Sequence, residues 1–511
     1  MTATAAQAET TQTAKPYLPL ERGWWRTPLL FMLSLDLVGL ELWPALAISI
    51  LFLAHAWRHD RYDFMIMLTY FFGGFGLYVV SFLPVWIADI VLLASFLLWF
   101  VYRKPPILKK TLVALCAMAI FTLVISFLSV ESLSIQILTM HRYWYIFCII
   151  VPFAIFSGIE FNFDTFIRRL FPYMLLTAIF YILDSFVICG HILIAKDSLN
   201  NNSTFYDPAF HPFSGNFYRI YPAGIFLYIL VFIPIIRNYR LHWWQWALFA
   251  GSFAASQTFT VLIAFVAVFI FLQGSLRKIL TWGVMVLVLL PIMYFIDGLL
   301  PTQIKGDAIQ SGLRIKSSID QFLLIYNAVD AEDIAEFGSG RMAQVIPKVE
   351  IVEREHRELI GLGFLHPNRT TLNQYIIDNE YYTDIEKAEE VTAFTEISQV
   401  NIYLHMGILG LVVITGIYLY LYYLIRKLKY AYLYFSNLVF SFFCGFGGYS
   451  LLNMPDGAIL LAISFAIPIL AERDKLGFNC PWLKRRGRRA ELCQSLPHTD
   501  GAYGRSAQAL R

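Results

Sequence analysis

The sequence predicts an all-α, polytopic transmembrane helical bundle of 12–14 crossings carrying one large, partly helical extracytoplasmic loop. Three observations predict it. Of 511 residues, 58% are hydrophobic, 17% aromatic and only 15% charged, with a mean hydropathy of +0.60, a balance foreign to soluble globular chains. Apolar runs long enough to cross roughly 30 Å of hydrocarbon recur along the chain. Between two of them lie about a hundred polar residues, 301–398.

In chain order, residues 1–27 are polar and Ala/Thr-rich, with Arg22 and Arg26 before the first span and no small-residue cleavage site, so they read as a cytoplasmic tail rather than a signal peptide. A first helix set occupies 28–300, with runs at 28–57, 62–83, 85–102, 111–130, 141–157, 171–192, 222–237, 243–273 and 279–299. The loop 301–398 follows, then final spans at 399–425, 431–451 and 456–471 within 399–472, and a basic tail at 473–511. Two runs are too long for one helix. The run 28–57 holds Asp36, Glu41 and Pro44 near its middle, and 243–273 holds Ser252, Ser256, Gln257, Thr258 and Thr260.

Charge bias decides how those runs cross. Basic clusters at Arg22/Arg26, Arg58/Arg61, Arg103 to Lys110, Arg168/Arg169, Arg237/Arg240, Arg277/Lys278, Arg426 to Lys429 and Lys484 to Arg489 fall on one side only if both long runs cross twice. That gives 14 crossings, or 12 if one tip is re-entrant, with both termini cytoplasmic and the segments 193–221 and 301–398 facing outward. The chain is then a multi-pass membrane protein in contact with membrane lipids. The loop carries 17 Asp/Glu against 9 Lys/Arg, leaving 30 basic and 19 acidic residues elsewhere, which argues against nucleic acid as a partner. The basic tail suits anionic lipid. The six cysteines lie in or near spans or in the tail, and imply neither a disulfide framework nor a zinc site.

The outer loop has helical periodicity in two places. Leu313, Ile315, Ile319, Phe322 and Leu323 suit one helix, and Met342, Val345, Ile346, Val349 and Val352 another, interrupted early by Pro347. Asn373, Gln374, Tyr375, Tyr381 and Tyr382 suit sugar hydroxyls and pyranose faces, and equally suit the loop's own core. Arg341 follows Gly338-Ser339-Gly340, where a guanidinium beside a flexible turn can grip a phosphate bidentately. Arg219, in Tyr218-Arg219-Ile220-Tyr221, faces outward just before a span, and Arg142, beside Tyr143 and Trp144, stands at another outward entrance. Snorkelling at an aromatic interface belt explains either of the last two alone.

Arginines gathered at the outer surface neutralise a diphosphate, the leaving group when a glycan departs from a polyprenyl carrier, and such stabilisation can replace a metal ion. Arg219, Arg341 and Arg142 are therefore the candidate diphosphate ligands, with Arg341 also catalytic. The acceptor hydroxyl needs a base, and Glu396 is the candidate, an acid set just before a span; a helix N-terminal acid favoured by the dipole is the alternative. His405 lies about two and a half turns deeper and suits packing inside the bundle.

Arg219 before a span, Gly338-Ser339-Gly340-Arg341 in a long loop, Gly361-Leu362-Gly363-Phe364, and the re-entry Asn401-x-x-Leu404-x-x-Gly407-Ile408-Leu409-Gly410 together resemble the superfamily of bacterial O-antigen ligases and O-antigen polymerases. The match covers about 205–425; the first half matches only in hydropathy. The resemblance implies equivalents of the family's loop arginine at Arg341 and of its earlier outward arginine at Arg219. Family members commonly carry His-Asn eleven residues before the glycine matching Gly407, where this chain has Glu396, and often Ser-Arg where it has Ser256-Gln257. His-Asn is most typical of ligases, so its loss favours a polymerase, which moves the growing glycan from undecaprenyl diphosphate onto an incoming lipid-linked repeat unit. The implied mechanism is metal-independent and inverting, and uses no nucleotide sugar and no cofactor. A chain-length regulator is a further implied partner.

Other classes stay open at this point. A ligase moves the glycan to lipid A core. A lipid-linked glycan flippase places its charges deep in the bundle, and a non-enzymatic assembly protein needs no chemistry at all. A metal-dependent lipid-phosphosugar transferase needs carboxylates, for which Asp36, Glu41 or Asp330-Ala331-Glu332-Asp333 are candidates.

Overall fold

A computed structural model describes residues 16–71, 87–188, 227–299, 303–310, 345–365, 397–445 and 455–476, with short gaps in several of these stretches. The described residues are overwhelmingly helical. Among the described residues, three helices are long and apolar enough to cross a membrane: α5 (Pro106–Phe127), the stretch Phe163–Ser185 that begins with α8 (Phe163–Ile182), and α13 (Ser398–Ile425).

Both over-long runs fold back. The run 28–57 forms α1 (Arg26–Gly39) and α2 (Pro44–His59), and the Ser34 and Ser49 hydroxyls meet at 2.8 Å across the hairpin. Pro44 opens α2 where its missing N–H costs nothing. The run 243–273 forms α9 (Trp243–Ser256) and α10 (Phe259–Phe271), and Phe253 and Phe265 stack edge-on at 4.9 Å, impossible in one continuous helix. These helices have 14, 16, 14 and 13 residues, fewer than the roughly 20 a perpendicular crossing uses.

Several boundaries differ from the sequence reading. The helix expected from 171 begins at Phe163, because the Asn162 side chain accepts from the Thr165 N–H at 3.1 Å and starts the helix ahead of Arg168 and Arg169. Pro347 does not interrupt the second loop helix, α12 (Val345–Arg354); it lies in the first turn, where proline is tolerated. The run expected as one helix over 141–157 is a 3-10 helix, His141–Ile149, followed by α7 (Ile150–Ile155). The all-α expectation is also modified, since strands Gln303–Lys305 and Ala308–Gln310 pair antiparallel at the start of the loop. The helix expected around 313–323 lies outside the described residues, Lys316 excepted.

The core is built around α15 (Pro455–Ala471), whose residues 457–470 are all buried. An apolar helix without a solvent face is enclosed on all sides. Around it pack the 141–149 segment, α7, α3 (Arg61–Thr69), α13 and α14 (Ala431–Gly445). Outward-facing apolar residues run along the periphery, including Leu93, Leu97 and Phe100 on α4 (Ile87–Val101) and Leu280, Val284, Val288 and Phe295 on α11 (Leu276–Leu299). Such stripes suit lipid rather than water as solvent.

One end of the bundle is tied by polar contacts among the basic clusters. Arg169 pairs with Asp60 at 3.1 Å, the Arg473 guanidinium donates to the Ile159 carbonyl, the Lys429 amide donates to Glu472 at 3.0 Å, and the Arg240 amide donates to the Pro16 carbonyl at 2.9 Å. The opposite end holds the loop and the candidate site.

Candidate functional site

At that opposite end, α13 is broken at Gly407, whose φ of 62° and ψ of −161° no helix contains. In an unbroken helix the N–H groups of Ile408 and Leu409 would donate to the carbonyls of Leu404 and His405. Here Ile408 and Leu409 donate instead to Glu358 and Leu359, at 2.9 and 3.1 Å, and the freed carbonyls of Leu404 and His405 accept from Leu362 and Gly363, at 2.8 and 3.0 Å. Two helical bonds are replaced by four bonds to the outer loop. Non-helical backbone survives at membrane depth only when protein satisfies it in this way.

Such close approach needs glycine on both chains. A Cβ on Gly361 would lie 2.5 Å from the His405 carbonyl carbon, and one on Gly407 would lie 2.5 Å from the Ile360 nitrogen, and both glycines have positive φ. Three further polar groups of the segment are taken by the α5 end and by α6 (Leu133–Met140): Ser129 Oγ donates to the Leu362 carbonyl at 2.9 Å, the Phe364 N–H to Gln136 Oε1 at 2.5 Å, and Thr139 Oγ1 to the Leu365 carbonyl at 3.0 Å. Arg357 donates to the Leu128 carbonyl at the C-terminus of α5. Leu362, Phe364 and Leu365 are fully buried, and Ile351 and Val352 of α12 join Leu362, Leu365 and Leu404 in a small apolar cluster. The middle of the loop is thereby anchored onto the bundle.

Beside this interlock stands the His141–Ile149 segment, unusually long for a 3-10 helix. With three residues per turn it sends side chains in three directions. Tyr143 turns to the interlock, its hydroxyl 3.0 Å from His405 Nδ1 and its ring 5.5 Å from Phe364. Trp144 and Phe147 turn to α4 and α5: Trp144 Nε1 donates to Thr122 Oγ1 at 3.0 Å, and Phe147 stacks on Phe96 at 4.9 Å. Arg142 and Tyr145 share the third face, where Tyr145 Oη donates to Asp89 Oδ1 at 2.6 Å. Asp89 lies in the first turn of α4 and also faces His141 Nε2 at 3.2 Å.

Arg142 is half-buried at the junction of these groups. Asp89, Tyr143 and Tyr145 act on its guanidinium electrostatically, and its charge is felt in turn at His405. Of the candidate diphosphate ligands and base, Arg142 alone falls among the described residues, beside Tyr143 where the loop meets the bundle. Arg219, Arg341 and Glu396 lie outside them. His405 is fully buried, as its depth in the helix predicts.

The sequence reading passed over Asp89, Tyr143, Tyr145 and Gln136. Asp89 carried a usable signal, being the single charged residue in the apolar run 85–102. Gln136 and Tyr143 carried none, since their partners are more than 200 residues away. No family model, no curated protein and no solved structure matches this chain.

Proposed function

We propose that this chain is a polysaccharide polymerase, which transfers a growing glycan from undecaprenyl diphosphate to the non-reducing end of a lipid-linked repeat unit on the outer face of a bacterial inner membrane. One observation carries the reading: Gly361-Leu362-Gly363-Phe364 and the Asn401 to Gly410 re-entry, the two glycine motifs of the ligase and polymerase resemblance, interlock beside Arg142. Sequence motifs that merely coincide have no reason to share two backbone hydrogen bonds, flanked by two more to Glu358 and Leu359.

In this reading the chain crosses 12–14 times with both termini cytoplasmic. The end tied through Arg169, Arg240, Lys429 and Arg473 is cytoplasmic, in keeping with the positive-inside bias. Arg142, Arg219 and Arg341 hold the diphosphate and stabilise the charge it gains as the sugar departs. The acceptor hydroxyl attacks the anomeric carbon directly, which inverts it, and a carboxylate takes the hydroxyl's proton. Glu396 is the base that the sequence offers.

The test is incubation of purified protein with defined undecaprenyl-diphosphate-linked repeat units. A ladder of products, lost in Arg341→Ala, is expected. Transfer only to a lipid A core acceptor would make the chain a ligase, and no transfer at all would return it to transport or scaffolding.

A further inference from the structure

Asp89, His141 and Tyr145 form a cluster that the loop interlock does not use. His141 Nδ1 lies 3.0 Å from the Ile137 carbonyl oxygen, while Nε2 lies 3.2 Å from Asp89 Oδ1. The ring is thereby held between the Ile137 carbonyl and the Asp89 carboxylate. Tyr145 donates to the same oxygen at 2.6 Å. Two side chains meeting Oδ1 fix the orientation of the carboxylate.

An acid kept only for the helix dipole is served by backbone amides and water. Asp89 also meets side chains of a neighbouring segment, at the edge of an apolar bundle where burying charge costs desolvation. The pair is reachable, with side-chain exposures of 21% for Asp89 and 25% for His141. Among the described residues, the titratable groups facing Asp89 are His141, Arg142, Tyr145 and Cys148; α7, packed on the same helix, has none. An oriented, partly exposed carboxylate beside the candidate diphosphate ligand Arg142 has the makings of a general base.

We propose that Asp89 takes the proton of the acceptor hydroxyl, with His141 and Tyr145 as positioning residues, a role that rests on the polymerase reading above. As the acceptor O–H bond breaks, its proton passes to the Asp89 carboxylate and the oxygen bonds to the anomeric carbon. The bond from that carbon to the phosphate oxygen breaks, and its electron pair leaves with the diphosphate, facing Arg142. The protonated Asp89 then releases its proton to water on the outer face. Glu396 is thereby relieved of the base role.

The experiment uses full-length protein in lipid nanodiscs with a defined undecaprenyl-diphosphate-linked repeat unit. Asp89→Ala is expected to lower kcat by about 100-fold or more, to change KM less than about threefold, and to regain at least tenfold in rate when formate supplies a carboxylate. Tyr145→Phe is expected to lower kcat by about tenfold at unchanged KM; if Asp89→Ala does not fold, this variant decides, and wild-type kcat in it overturns the assignment. Near wild-type kcat in Asp89→Ala, or a formate-rescued loss in Glu396→Ala instead, also overturns it. A wild-type protein that elongates nothing overturns the polymerase reading and this role together, whereas an active wild type with an active Asp89→Ala overturns this role alone.

Discussion

Gly361 and Gly407 lie backbone to backbone, one in the outer loop and the other at the break of a membrane helix, and neither leaves room for a Cβ on its partner's side. The contact joins the loop to the bundle without a single side chain. Its consequences are open to measurement.

Alanine at either glycine should destabilise the protein strongly, because it meets both a positive φ and a backbone collision. Gly361→Ala and Gly407→Ala are each expected to cost about 2 kcal/mol or more. Gly416, in the same helix but with open space where a Cβ would stand, is the control. Gly416→Ala should be neutral or stabilising by up to about 1 kcal/mol. Thermal unfolding in detergent separates the three variants, and equal midpoints would remove the interlock as a structural tie.

The Tyr143–His405 bond links the 141–149 segment to the broken helix inside the bundle. Tyr143→Phe should cost about 1–3 kcal/mol by removing this hydrogen bond from a buried ring nitrogen. A double-mutant cycle with His405→Leu should return a coupling of about 0.5–2 kcal/mol. Additive effects of the two changes would mean that the bond is not made in solution.

The arginines should act on turnover rather than on folding. Arg142→Ala, Arg219→Ala and Arg341→Ala are each expected to shorten or abolish the product ladder while the unfolding midpoint stays close to wild type. Arg142→Lys should recover only part of the activity, since an ammonium keeps the charge and loses the bidentate grip. Charge stabilisation by arginine also predicts rates that chelator leaves unchanged. A strict requirement for a divalent ion would point to carboxylate-held metal chemistry instead.

Sidedness can be read by labelling. His356→Cys, in the loop, should react with a membrane-impermeant maleimide in intact spheroplasts, and Lys427→Cys should react only after permeabilisation, each compared with the native cysteines as background. The opposite pattern would invert the topology and move the site to the cytoplasmic face.

Much of the architecture is legible in the chain itself. The doubled-back runs at 28–57 and 243–273 follow from charge bias and polar tips, and both appear as folded-back helices. The start of α8 was misjudged because hydropathy discounts Arg168 and Arg169, whereas the Asn162 cap acts locally and overrides them. The 3-10 geometry of 141–149 has no local signal, since its apolar and aromatic residues suit an α-helix equally.

The candidate site divides along the same line. Arg142, the two glycine motifs and the depth of His405 could all be picked out from residue type and spacing. Their convergence could not, nor could the pairing of Asp89 with His141 and Tyr145, because each joins segments separated by tens to hundreds of residues.

By itself the sequence determined what local physics controls: which stretches are apolar enough for lipid, where the chain turns back, and which residues carry charge beside an apolar run. Only the tertiary structure decided that Gly361 and Gly407 meet, that the break in α13 is made good by loop amides and carbonyls, and that Asp89 meets His141 and Tyr145. The reason is that backbone hydrogen bonds between distant segments depend on position in space, and leave in the sequence only the glycines that permit them.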